Sequence, residues 1–169
     1  VSTEIAPTQE QLLDDSYRAA MQRAGHLLAS RPRTEHELRV RLKVAGYDEG
    51  TIERTVTRLI ELRLLNDRDF ALQWVAERAV AKGRSGEALV SELVEKGIDR
   101  SLAEEAVTEA GIDETAQATD LAARFLSRVA GKPLAKQAEA LLGRLLRRGF
   151  PHDVARDAVR AVLPPEGWD

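Results

Sequence analysis

The chain has 169 residues, 25 Lys or Arg against 28 Asp or Glu, no Cys, and a formal charge of −3. That length suits one large domain or a short row of small modules, and 43% apolar with 31% charged residues is a folded, charge-rich composition. Without Cys there is no disulfide, thiolate metal site or thiol nucleophile, a usage expected of a reducing cytoplasm, and no apolar run approaches the roughly 18 residues of a membrane span.

The opening VSTEIAPTQEQLLDD lacks the basic-then-apolar order of a secretory signal, and residues 1–15 are expected to be a flexible tail. From there Ala, Leu, Glu and Arg abound while aromatics are scarce, which favours helix over sheet. The first predicted helices cover 16–30, 34–45 and 49–63. Thr34 and Glu37 form a capping-box pattern at the second start, and Asp48 suits the N-cap of the third. The next three cover 67–82, 86–96 and 100–110, with Asp99 in the place of Asp48. The last three cover 114–130, 134–148 and 152–163, where Pro133 and Pro151 suit first-turn positions. Residues 164–169 form a C-terminal tail. No alternating segment bounded by hairpin turns occurs, so no sheet is expected.

The nine stretches repeat. ELRVRLKVAGY (37–47), ALVSELVEKGI (88–98) and ALLGRLLRRGF (140–150) each place two Leu four residues apart, then Gly, then one bulky apolar residue. Gly46, Gly97 and Gly149 stand 51 and 52 residues apart, and Val56, Val107 and Val159 follow each by ten. Periods of this length mark tandem modules that bury their faces against neighbours. The expectation is an all-α, elongated, monomeric array of three three-helix modules at 16–63, 64–113 and 114–163. The Leu pairs Leu38/Leu42, Leu89/Leu93 and Leu141/Leu145 are core by their spacing. Each Gly supplies a left-handed helix end, over which Tyr47, Ile98 or Phe150 packs back. Phe70 and Trp74 share helical spacing and are expected to anchor the middle module, with a partner-binding Trp74 as the alternative.

Chemistry-bearing patterns are missing. His26, His36 and His152 lie far apart with no acidic cluster at ligand spacing, so no metal is expected. GRSG at 83–86 lacks the spacing and the Lys of a phosphate loop, and no Ser, His and Asp set stands out. Neither an enzyme nor a cofactor is expected. Charge is the informative feature. Residues 31–63 hold eight basic against six acidic residues, 64–113 hold six against eleven, and 114–163 hold nine against five. A basic–acidic–basic row suits a chain lying along a charged surface. Two clusters fall at corresponding places in modules one and three and are the candidate binding residues. The first is Arg31, Arg33, Arg39, Arg41 and Lys43. The second is Lys136, Arg144, Arg147 and Arg148, a stripe at i, i+3 or i, i+4 steps once Ala140 is counted. The plainer reading of Arg147 and Arg148 is complementation of a helix C-terminus.

Several of these stretches together resemble the RecX family of regulatory proteins. They are RPRTEHELRVRL (31–42), LIELRLLNDRDFALQWVAERAVAKG (59–83) and ELVEKGID (92–99). The matching positions are Arg31, Pro32, Thr34 and Leu38, then Leu64, Leu65, Asn66, Asp67, Phe70, Ala71, Trp74 and Arg78, then Glu92, Leu93, Lys96, Gly97 and Ile98. The resemblance covers 24–110 by motif and the third module by pattern. Gly83-Arg84-Ser85 replaces the family's glycine-aromatic-glycine turn and Ala88 replaces a basic residue, so the middle module is poorer in phosphate contacts. The resemblance implies a cytoplasmic bacterial protein that docks along the groove of the RecA filament. There it would inhibit ATPase, strand exchange and coprotease activity in DNA repair and the SOS response. Linked modules on a repeating filament gain by effective concentration. Two other readings fit the residues: a helix-turn-helix operator binder, opposed by the acidic middle module, and a helical-repeat scaffold for another protein. Direct contact with single- or double-stranded DNA is an intermediate possibility and would depend steeply on salt.

Overall fold

The computed structural model describes residues 8–164, and the side chains of all of these except 80–82. Among the described residues there are nine α-helices and no strand. They are α1 (Gln9–Ser30), α2 (Glu35–Val44), α3 (Glu49–Glu61), α4 (Asp67–Lys82), α5 (Gly86–Glu95), α6 (Arg100–Glu109), α7 (Glu114–Val129), α8 (Leu134–Leu146) and α9 (His152–Val162). The expected all-helical repeat is therefore present, helix by helix. The largest departure is α1, which starts at Gln9 rather than 16. Thr8 and Gln11 form a reciprocal capping box there, satisfying two backbone N–H groups at a helix start that is otherwise polar. Of the expected N-terminal tail, residues 1–7 lie outside the described residues, as do 165–169 of the C-terminal one.

Local caps fix most other boundaries. Asp48 accepts from the Thr51 N–H at 3.0 Å, Asp99 from Ser101 at 2.9 Å and Asp113 from Ala116 at 3.0 Å. Thr34 caps α2 by accepting from Glu37 N–H at 3.1 Å, but the Glu37 carboxylate does not complete the box. It pairs with Arg31 and Arg33 instead. Pro133 and Pro151 sit at N-cap positions of α8 and α9, one residue before the expected first turn. At the end of α3 the left-handed residue is Arg63, at φ +56°, where the ends of α2, α4, α5, α6 and α8 use Gly. The Leu64 N–H returns to the Leu59 carbonyl at 2.9 Å, so a C-terminal wrap forms without glycine.

The chain divides into two compact units, one of residues 1–70 with 96–98 and the other of 71–95 with 99–169. In the first, α1, α2 and α3 pack on one another around Ala20, Ala24, Leu38, Leu42, Ile52, Val56, Leu59 and Leu65. Phe70 is buried in this unit, whereas Trp74 falls in the second. In the second, α5 packs on α6, and α7 packs on α8 and most extensively on α9. Leu121, Leu141, Leu145, Phe150 and Val159 fill the core formed by α7, α8 and α9. All six paired Leu are 0–1% exposed. Truncating one of them to Ala would cost about 2–5 kcal/mol. Val56 and Val159 are also buried, but Val107 is half-buried and Ala110 exposed, so the middle copy follows the pattern loosely.

One helix corner explains why residues 96–98 pack with the first unit. The Thr34 hydroxyl donates to the Lys96 carbonyl at 2.7 Å, and a Cβ on Gly97 would stand 2.3 Å from His36 Cβ. The second unit repeats the arrangement. The Ser85 N–H donates to the Arg148 carbonyl at 3.3 Å, and a Cβ on Gly149 would stand 2.8 Å from Ala88 Cβ. In both cases the turn that ends one middle helix is pressed onto the N-terminal corner of the middle helix before it. Gly97 and Gly149 thus answer two demands, a positive φ (+83° and +89°) and a backbone contact with no room for a side chain.

Candidate interaction surface

The first basic cluster separates into braced and open cations. Arg33 is only 9% exposed; its Nε donates to the Leu27 carbonyl at 3.0 Å and its guanidinium meets Glu37. Arg31 shares that carboxylate, with its second nitrogen 3.0 Å from Glu37 Oε2. Burial pushes the Glu37 carboxyl up, but the hydrogen bond and charge of Arg31, then the charge of Arg33, carry it below the usual 4.5. Arg39 bridges α2 to α3 through Glu53 at 2.7 Å and turns back to Glu35 at 3.1 Å. The hydrogen bond it donates to Glu53 is the main reason its pKa is raised. Arg41 and Lys43 lie in the last turn of α2, exposed and without an ion pair among the described residues. Exposed Val40 and Val44 accompany them, the latter 81% exposed. In this cluster, then, Arg31, Arg33 and Arg39 tie α2 to its own unit, and Arg41 and Lys43 are the open charges.

The second cluster is built differently. Phe125 on α7 is half-buried beneath three guanidinium groups, from Arg144 at 3.5 Å, Arg128 at 5.0 Å and Arg148 at 5.7 Å to the ring centre. Arginine lies flat on an aromatic face by cation–π attraction while its edge keeps N–H donors. The Arg144 Nε is buried and meets no acceptor in the protein. The pKa of Arg148 is lowered, first by burial and then by the positive charges of Arg144 and Arg84. Like charges crowd here.

Beside this stack the C-terminal half of α7, the turn after it and one face of α8 enclose a cleft of about 730 Å³. Arg128, Lys132, Lys136, Arg144 and Arg147 line it, against the single carboxylate of Glu139, a balance of +4. Lys136 pairs with Glu139 at 2.8 Å, which raises the amine and lowers the carboxyl from their ordinary values. The i, i+4 stripe is thus one wall of a concavity: Lys136, Ala140, Arg144 and Arg147 face it together, while Arg148 stands on the Phe125 side. Sequence reading missed Phe125, Arg128 and Lys132. They belong to the neighbouring helix and its turn, and only their order FLSRVAGK, basic at three-to-four-residue steps after an aromatic, hinted at them. Pro133 and Lys136 hold on α8 the corner positions that Ser85 and Ala88 hold on α5. There, a turn fills the corner; on α8 the corner opens into the cleft.

Trp74, by contrast, is half-buried and tied to its own unit. Its Nε1 donates to Glu92 at 3.1 Å, Arg78 stacks on its ring at 3.5 Å, and Arg84 meets the same carboxylate at 3.0 Å. No group of three potential metal ligands occurs among the described residues, and no helix among them is long and apolar enough to cross a membrane.

Helices arranged as three-helix repeats, with basic residues gathered on two of their middle helices, define a helical-repeat protein. Comparison with known proteins gives the family. Residues 20–59 match the family model described as "RecX, first three-helix domain" and 66–107 the one described as "RecX, second three-helix domain". The chain is 33% identical over 162 residues to the regulatory protein RecX of Amycolatopsis mediterranei, covering 95% of this chain and 93% of that one. It is 36% identical over 149 residues to the RecX of Mycobacterium sp. (strain JLS), covering 83% and 79%. The fold is similar to the crystal structure of RecX from Lactobacillus salivarius, with a TM-score of 0.79 at 22% identity over 88% of this chain and 97% of that one. The chain belongs to the RecX family of regulatory proteins.

Proposed function

We propose that this chain is a cytoplasmic, monomeric, non-enzymatic regulator that binds the RecA nucleoprotein filament along its groove. There it inhibits ATP hydrolysis, strand exchange and coprotease activity, and so acts in DNA repair and the SOS response. Membership of the RecX family supports the regulatory role. The observation that carries the binding mode is the presence of two open basic surfaces on separate modules, Arg41 with Lys43 on α2 and the α7–α8 cleft. Two weak contacts on one chain act as a single stronger one when their sites recur on a filament. Arg31, Arg33 and Arg39 enter by holding α2 in place, whereas Lys136, Arg144, Arg147 and Arg148 supply charge directly.

The test is a titration into RecA on single-stranded DNA while ATP hydrolysis is followed. The parent chain should suppress turnover and hydrolyse no ATP alone. Charge reversal at Arg144, Arg147 and Arg148 should weaken inhibition by about tenfold or more, because several repulsions act on one contact. Reversal at Arg41 and Lys43 should also weaken it, and both losses should shrink with added salt. Reversal at Glu104 and Glu105, on the acidic module, should do much less. A normally melting triple variant that inhibits like the parent would reduce the stripe to a solvated face. Operator-like sequence preference in footprinting would instead favour the helix-turn-helix reading.

A further inference from the structure

We infer that the cleft between α7 and α8 is a binding site for a compact oligophosphate, a run of adjacent phosphate groups such as a free nucleoside triphosphate or a short inorganic chain carries. The first ground is size. A volume of about 730 Å³ lies within the range of small-ligand sites, roughly 300–1,000 Å³. The second is charge density. Five cations face one carboxylate across this single concavity, and that carboxylate is already held by Lys136. A partner carrying one charge per several ångströms, such as a strand or an acidic helix, would engage these cations a few at a time. Adjacent phosphates would engage them together.

The third ground is preorganisation. Arg144 is held by stacking on Phe125 at 3.5 Å, with Arg128 over the same ring at 5.0 Å. A guanidinium fixed by its face presents its in-plane donors as a fork, the geometry that phosphate oxygens accept in pairs. The buried Arg144 Nε has no protein acceptor, although most buried donors find one. The exposed Lys132, Lys136 and Arg147 at the rim then close on the outer phosphates.

This site belongs to the surface assigned above to RecA, yet its ligand chemistry stands without that assignment. Isothermal titration of inorganic tripolyphosphate into the full chain, at about 0.1 M salt, tests it. Saturable one-to-one binding is expected. The Lys132→Gln, Lys136→Gln, Arg147→Gln triple variant should bind at least about tenfold more weakly, since three charge-assisted contacts are lost. Arg41→Gln with Lys43→Gln should bind like the parent. Arg144→Lys is the second variant: it keeps the charge and loses the fork, and is expected to weaken binding several-fold with an unchanged melting curve. ATP displacing tripolyphosphate would identify a nucleotide as an accepted source, and failure of ATP to displace it would assign the site to inorganic chains. The inference is overturned if tripolyphosphate gives no saturable heat, if the triple variant binds like the parent, or if a short oligothymidylate or oligoglutamate binds the cleft more tightly than tripolyphosphate. A chain that takes tripolyphosphate but leaves RecA turnover untouched would sink the proposed function and spare the site, so the two fail separately.

Discussion

Replacing Gly97 by Ala separates the two demands made on a repeat glycine, because Gly46 carries only one of them. Both have positive φ, +92° at Gly46 and +83° at Gly97. A Cβ on Gly46 would meet nothing within 4 Å, whereas on Gly97 it would meet His36 Cβ at 2.3 Å, Cγ at 2.4 Å and Cδ2 at 2.7 Å. The left-handed conformation costs Ala roughly 1–2 kcal/mol. Alanine recovers about 0.4–1 kcal/mol of that by stiffening the unfolded chain. Gly46→Ala should therefore lower stability by about 1 kcal/mol. Gly97→Ala adds the overpacking penalty, typically about 1–3 kcal/mol. It also pulls the Lys96 carbonyl from the Thr34 hydroxyl, at about 0.5–1.5 kcal/mol, for a total of about 2.5–5.5 kcal/mol. Urea unfolding of both variants reads the difference, and in thermal melts each kcal/mol should appear as roughly 2–4 °C for a chain this long. A second substitution sharpens the test. The nearest obstructing atom is His36 Cβ, which the α2 backbone fixes, so no rotamer change relieves the clash. His36→Ala should leave the Gly97→Ala defect in place, while His36→Gly should remove most of the excess in a double-mutant cycle. Equal destabilisation by Gly46→Ala and Gly97→Ala, or rescue by His36→Ala, would refute the reasoning.

Further outcomes follow from the braces and caps. Glu37→Gln removes the shared partner of Arg31 and Arg33. Because the folded carboxyl lies below its usual value, its stabilisation is present above that value and lost as pH falls through the folded one. The variant should consequently be less stable at pH 7 and converge on the parent only once the pH has fallen through the lowered folded value, as read by urea midpoints across pH. Arg63→Gly relieves a left-handed non-glycine residue and should raise stability by up to about 1 kcal/mol, which a melting curve would show. Leu141→Ala should cost about 2–5 kcal/mol and Val107→Ala less than about 1.5 kcal/mol, since the first is buried and the second half-buried. Matching losses at the two sites would contradict the packing.

What was legible in the sequence was whatever a few neighbouring residues decide. The Leu pairs, the Asp N-caps and the turn glycines act within one or two turns of helix, so their spacing carried the nine helices and the repeat. The start of α1 escaped because Thr8 and Gln11 cap a segment whose apolar face is thin, with Leu12 and Leu13 half exposed. The basic clusters were legible as composition and not as availability. Whether Arg39 is open or bound depends on Glu53, on the next helix, and Arg33 depends on a carbonyl of α1. The cleft was invisible for the same reason. Half of its charge comes from α7 and the turn after it, and only the folded unit places Phe125 under Arg144.

The corner contacts bear on where such a chain can be divided or recombined. A fragment ending near residue 63 holds all of α1, α2 and α3, yet it leaves the Thr34 hydroxyl without the Lys96 carbonyl and the face of His36 uncovered. The fragment boundary that respects packing runs to Phe70 and still lacks three residues from the turn after α5. A module transplanted into another array must therefore match its new neighbour at a corner residue near position 34 or 85 and at the glycine of the following turn. The part that travels as a working whole includes both the corner and the turn glycine that covers it, offset from the period seen in the sequence.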